Sequence, residues 1–256
     1  DRLVAAGGSP DRIHVVQNGV NAAVFGYRDR EEATRLLSVA WGRRPVSSET
    51  TSSLPSLVSS IPPAARVVLF VGNLVPEKGP DLLLEAWRRV VGMAADWDKD
   101  ATTPGRSTPL TLVLVGDGHM RKFLQNESER MGIAGSVKFL GSRPHGEIGL
   151  WMNVASCLCL PSRREGMPNV VLEAMASGLP VVAADVGGVS SVLEDGTHGL
   201  IVPGGADDPD RARLLAEGLG KALSMEWDRE DMASKARVYG WDEAARRIID
   251  LIGKKA

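Results

Sequence analysis

The chain has little of several things, and each shortage removes a class of function. Of its 256 residues only two are cysteine and four histidine. Two cysteines cannot build the disulfide framework of a small secreted domain. They are Cys157 and Cys159, in "SCLCLP", two apart in a strand-like run, so both face one side of it. A disulfide between such neighbours is strained, a lone C-x-C is a poor metal site, and buried packing is the expected role. That usage points to a reducing cytoplasm. His14, His119, His145 and His198 show no metal-ligand spacing and are expected at surface or structural positions. Charge of one sign is also lacking. Thirty basic and 32 acidic side chains leave a net charge of −2, which supplies no general field for nucleic acid or an anionic membrane. No apolar run approaches the roughly 18 residues that span a bilayer, and no leader sequence is expected.

What remains is ordinary globular composition, 43% hydrophobic and 24% charged. Short runs rich in Val, Ile and Leu recur at 66–72, 110–116, 137–141, 156–161, 180–185 and 199–203. They read as strands buried on both faces. Helical patterns alternate with them at 79–92, 118–131, 145–154, 169–178 and 188–194, after a first helix at 29–40. A further short strand is expected at Ile13–Val16, followed by a turn at Asn18-Gly19. Helices alone follow residue 205, at 208–224, 228–238 and 241–252. The expected fold is an α/β domain, a Rossmann-like parallel sheet flanked by helices with a helical carboxyl-terminal tail. Two stretches rich in Ser, Thr, Pro and Asp, 42–65 and 93–109, are expected to be flexible insertions.

Ligands of such sheets bind outside the carboxyl ends of the strands. After 66–72 comes "GNLVPEKGPD", where Lys78 is well placed for an anion, although a solvated lysine is an equal reading of that residue alone. After 110–116 comes "GDGHMR". It opens like a dinucleotide turn, but Arg121 stands at the third glycine and no acidic residue closes a strand about 20 positions later. After 156–161 comes "REGMPNVVLEAMASG", with Glu165 and Glu173 eight positions apart. Pro168 suits a helix boundary, and the free N–H groups of a helix beginning near Asn169 form an anion site. Helical side chains lean towards the amino end, so Glu173 returns to the same place. Two carboxylates flanking an anion site suit a ligand with phosphates in the middle and hydroxyl pairs at both ends. Helix capping plus a surface glutamate is the plainer alternative.

The segments "NGVNAAVF", "LFVGNLVPEKGPDLLLEAW", "LVLVGDG", "VKFLGSRPHGEI", "LCLPSRREGMPNVVLEAMASGLPVVAADVGG" and "HGLIVP" together resemble glycosyltransferase family 4, the retaining, nucleotide-sugar-dependent glycosyl transferases group 1 of the GT-B fold. The resemblance runs from about residue 11 to the end, interrupted only by the two insertions. A finer likeness is to members that build bacterial surface polysaccharides. It implies catalytic roles for Glu165 and Lys78, with Lys78 neutralising the donor diphosphate. It places Asn169 and Val170 on the phosphates, Glu173 on the ribose, and Glu165 with Gly166, Met167 and Pro168 on the transferred sugar. Gly141, Ser142 and Arg143 are implied near the base, with Gly72, Asn73 and Gly116 lining the donor site. Where many members carry arginine this chain has Asn73, which brings no charge; Arg163 or Arg164 is expected to compensate.

The resemblance further implies that residues 1–25 end an interdomain connection and bring in a strand. Residues 26–256 would be the nucleotide-sugar-binding domain, with carboxyl-terminal helices over 207–254. The amino-terminal acceptor domain would lie outside this chain, and "YGWDEAARRIIDLIGK" would be the closing helix that packs back on it. The implied partners are a nucleotide sugar, that other domain, and an acceptor glycan, lipid-linked sugar or small molecule. No nucleic acid, metal or other cofactor is implied. The implied place is cytoplasmic or peripheral at the inner face of a membrane, reached through the other domain. A sugar phosphorylase or a sucrose- or trehalose-type enzyme is a second implied reading, and a non-catalytic nucleotide-sugar-binding module a third.

Overall fold

The structure is a computed structural model and describes residues 5–9, 13–14, 16, 18–42, 65–97, 109–205 and 207–253. Its centre is a six-stranded sheet: β1 (Arg66–Val71), β2 (Leu110–Val115), β3 (Val137–Gly141), β4 (Cys157–Leu160), β5 (Val181–Ala184) and β6 (Gly199–Val202). The spatial order is β3-β2-β1-β4-β5-β6 and every pairing is parallel. The chain therefore builds outward from β1 to β3, then returns to add β4 on the other side of β1. Crossovers between parallel strands are right-handed, so reversing the direction of growth puts the next helices on the opposite face.

That is the observed arrangement. The helices are α1 (Arg30–Gly42), α2 (Pro80–Trp97), α3 (Arg121–Arg130), α4 (His145–Val154), α5 (Asn169–Ala176), α6 (Asp208–Ser224), α7 (Arg229–Lys235) and α8 (Trp241–Gly253). One core layer joins α1, α4 and α5 to Val67, Leu69, Val113, Val115, Leu158 and Leu160. The other joins α2, α3 and α6 to Val68, Phe70, Leu112, Leu114, Cys157 and Cys159. Adjacent residues of one strand thus enter opposite layers, the two-residue period of a pleated strand buried on both faces. The two cysteines share a layer, buried and free as expected. Burial pushes the Cys157 thiol up to about 12.

Two helix starts follow directly from sequence. Asp207 accepts from the Asp210 N–H at 2.9 Å and Asp228 from the Asp231 N–H at 2.9 Å, so each aspartate caps the helix it precedes. A buried arginine finishes two others. Arg229 donates to the carbonyls of Met152 and Ala155 at the end of α4 and of Gly178 just past α5, at 3.0, 3.0 and 2.8 Å. With little water around it, its pKa falls to about 10.

Several expectations are corrected. Ile13, His14 and Val16 are not in a strand; Val15 lies outside the described residues. Only Val20 touches another extended segment, through a single bridge to Gly240, because no sheet edge lies alongside to pair with a longer run. The turn expected at Asn18-Gly19 falls later, where Asn21 accepts from the N–H groups of Val24 and Phe25. The helix expected at 188–194 is a three-residue 3-10 turn, Val189–Ser191. The second insertion begins later than expected, since α2 runs on to Trp97; residues 43–64 and 98–108 of the insertions lie outside the described residues. Among the described residues no helix is long and apolar enough to cross a membrane.

Candidate active site

Growth of the sheet reverses between β1 and β4, and a crevice opens above the carboxyl ends of strands at such a switch point. The loop leaving β1 and the loop leaving β4 are therefore neighbours, although 87 positions separate their key residues. After Val71 the β1 loop is tied to β2: Gly72 donates to Val115, and Leu74 to Asp117, at 3.0 and 2.9 Å. Gly116 donates in turn to Gly141 at 2.9 Å, joining the ends of β2 and β3. Gly72, Gly116 and Gly141, all expected at the site, thus form one floor across three strand ends. Asn73 is exposed above it.

Lys78 closes a 3-10 turn, Pro76–Lys78, and Gly79 ends it with φ +63°. A Cβ at Gly79 would stand 2.3 Å from the Pro161 carbonyl oxygen, so glycine is what lets the lysine turn lie against the end of β4. Arg163 fastens the two. Its N–H donates to Glu77 at 2.9 Å and its guanidinium to Pro76 at 2.7 Å. It also pairs with Asp81 at 2.7 Å and Asp208 at 2.7 Å. Asp81, with Asp208 beside it, pushes the Arg163 pKa above its ordinary value. Arg163 is therefore a tether with its charge already matched, which corrects the expectation that it compensates for Asn73. Arg164, also a candidate, is exposed.

Glu165 is turned inward. Lys78 Nζ donates to both of its carboxylate oxygens at 2.8 Å, and Ser162 Oγ donates to Oε1 at 2.6 Å. The Glu165 side chain is 5% exposed against 34% for Lys78. The carboxylate expected at an open mouth is thus an almost dry group holding the site's lysine. Ser162, fully buried, was not expected; only its place at the end of a strand hinted at it. Nor was the loop after β5, where Gly188 donates to the Gly166 carbonyl at 2.8 Å. There Gly187 has φ +61°, and a Cβ on it would stand 2.0 Å from the Glu165 carbonyl oxygen. The glycine pair of "DVGG" is the sequence trace of that close approach.

Next comes the start of α5. Pro168 occupies the N-cap and no side chain caps the helix, so its first N–H groups face outward with the positive end of the helix dipole. Val170 packs its side chain against the core and offers only backbone. Asn169 accepts from Asn18 Nδ2 at 2.8 Å, and the Asn18 N–H meets Met167 Sδ at 3.4 Å. Asn18 is a second residue that the sequence reading missed. Glu173, half-buried one turn into α5, has its pKa raised by desolvation, which nearby His145 counteracts. At the end of β3 Ser142 is exposed and Arg143 donates to the Leu140 carbonyl, turning this loop along the same rim. The arrangement offers one lysine, one helix N-terminus and two carboxylates around a single crevice, which can neutralise an anion between two hydroxyl-bearing groups.

The model of the family "Glycosyl transferases group 1" matches residues 58–239. The chain is 32% identical over 249 residues to a D-inositol 3-phosphate glycosyltransferase of Acidothermus cellulolyticus, covering 95% of this chain and 48% of that protein. It is 34% identical over 200 residues to the protein of the same name in Corynebacterium urealyticum, covering 75% of this chain and 43% of the relative. The chain spans about half the length of the curated relatives it matches. Among solved structures, that of Anabaena Alr3699/HepE in complex with UDP superposes with a TM-score of 0.71 at 22% identity, over 98% of this chain and 60% of that one. The carboxyl-terminal domain of LpcC, a glycosyl transferase group 1 family protein from Francisella tularensis, superposes with a TM-score of 0.58 at 20% identity, over 86% of this chain and 95% of that one. At such identities the structures show a common fold.

Proposed function

Since this chain belongs to the glycosyl transferases group 1 family, we propose that it is the donor-binding half of a retaining glycosyltransferase that moves a sugar from a nucleoside diphosphate sugar to an acceptor in glycoconjugate synthesis. The observation that carries this reading is the crevice at the β1/β4 switch point, where Lys78, Glu165 and the uncapped start of α5 converge. Lys78 and the α5 N–H groups of Asn169 and Val170 take the diphosphate and stabilise it as it leaves. Glu173 takes the ribose hydroxyls. Glu165, with the Gly166–Met167–Pro168 backbone, holds the transferred sugar, and the rim at Gly141, Ser142 and Arg143 meets the base. Asn73 contributes a neutral donor.

The acceptor binds in the half that the longer relatives have beyond this match. The outer face of α8 leaves Trp241, Ile248, Ile249 and Ile252 exposed, which fits a helix that packs on that half. Closure between halves excludes water and completes the site, so this chain alone binds donor and transfers nothing. A thermal-shift series with UDP-, GDP- and ADP-sugars tests the reading. One base should raise the melting temperature by mass action, and Lys78→Ala should weaken that ligand by about 1–3 kcal/mol. No shift with any of them, or a shift indifferent to Lys78→Ala, contradicts it.

A further inference from the structure

The cation of the crevice and its most buried carboxylate satisfy one another. Both oxygens of Glu165 lie 2.8 Å from Lys78 Nζ. The carboxylate end is the anchored one, held also by Ser162 and almost without water, whereas the lysine is one-third exposed and able to move. Arg163 cannot substitute, because Asp81 and Asp208 already match its charge. An arriving diphosphate therefore meets a lysine that is already neutralised.

Resting on the donor-site reading above, we infer that Glu165 makes the crevice select nucleotide sugars over free nucleoside diphosphates, by competing with the diphosphate for Lys78. A carboxylate has about four lone-pair sites. Ser162 fills one. If Lys78 swings to phosphate, the remaining sites lose their donor in a nearly dry place, which is costly for an ionised group. The hydroxyls of an attached sugar replace the lysine at those sites. A free diphosphate brings no such donors and must bind against the uncompensated carboxylate. The same exchange runs in reverse after transfer: once the sugar has gone, Glu165 recaptures Lys78 and the nucleoside diphosphate is released.

Inorganic pyrophosphate is the probe that isolates this effect, since it has neither base nor sugar. Its affinity is measured by calorimetry at fixed ionic strength for the wild-type chain, Glu165→Gln, Glu165→Ala, Lys78→Ala and the Lys78→Ala/Glu165→Gln double variant, with thermal unfolding confirming that each is folded. Both Glu165 variants should bind pyrophosphate about tenfold more tightly than wild type, or about 1.4 kcal/mol. Lys78→Ala should bind it more weakly, and adding Glu165→Gln to that background should restore little, because the two residues act through one contact. Using two Glu165 variants separates loss of charge from any new amide contact. If Lys78→Ala loses binding while neither Glu165 variant gains, the competition is refuted and the donor site stands. If pyrophosphate binds none of the proteins, wild type included, the donor-site reading falls too.

Discussion

Burial raises the Glu173 carboxyl above its ordinary value of 4.5, and His145 offsets that only in part. A folded-state pKa above the unfolded one means that the native protein binds the proton more strongly. The stability this confers is fully present below about 4.5 and is lost as pH rises through the folded pKa. At neutral pH the ionised Glu173 therefore costs stability, as a group placed for a ligand can. Glu173→Gln should melt higher than wild type at pH 7, and the difference should close at pH 4. The same substitution should weaken nucleotide binding, since a carboxylate accepts two ribose hydroxyls and an amide accepts only through one oxygen. Differential scanning calorimetry at the two pH values, with a nucleotide titration, reads both effects. Equal melting at pH 7 would place the carboxylate in a solvated position and remove this account of it.

At the scale of elements, the crevice depends on how neighbouring ends are held. Arg229 donates three hydrogen bonds to carbonyls that α4 and α5 leave unsatisfied. Arg229→Met keeps the length of the side chain and strands those carbonyls. It should lower stability by about 2–4 kcal/mol in chemical denaturation, the scale of lost charge-assisted bonds in a buried place. A loss below the scatter of the fit would show that water replaces the guanidinium. Gly187→Ala acts at the other end of α5. It forces a Cβ against the Glu165 carbonyl at a positive φ, so it should cost about 1–3 kcal/mol of stability and also shift the Glu165 loop. Unchanged stability and ligand affinity would refute that close approach. The strands were legible because runs such as "LTLVLV" and "CLCL" have no reading other than burial on both faces. The segment 188–194 misled for a physical reason. Val189, Val192 and Leu193 repeat with helical spacing and are all buried, but they are the inner side of one 3-10 turn carried by a loop. Spacing over a single turn cannot distinguish the two.

For the whole molecule, what stayed hidden in the sequence was proximity. Lys78 and Glu165 are legible as strand-end residues, and Glu173 as a helix residue leaning towards its amino end. That Lys78 and Glu165 touch, with Ser162 beneath them, follows from the order of the strands, which places β4 beside β1 rather than beside β3. Asn18 reaches Asn169 across 151 positions for the same kind of reason. Local pattern carries no information on such pairs; the resemblance supplied roles, and the fold supplied the contacts. The central claim is that the anion of a nucleoside diphosphate sits between the Lys78 turn and the start of α5. Amide chemical-shift mapping of the isotope-labelled chain, titrated with UDP, GDP and ADP, tests it most directly. The account predicts saturable shifts with one of them at ~0.1–1 mM, about 4–5.5 kcal/mol of binding free energy, centred on the amides of Lys78, Gly79 and Gly166 to Val170 and carried to Gly187 and Gly188. Shifts confined to other surfaces, or none with any of the three, would contradict it.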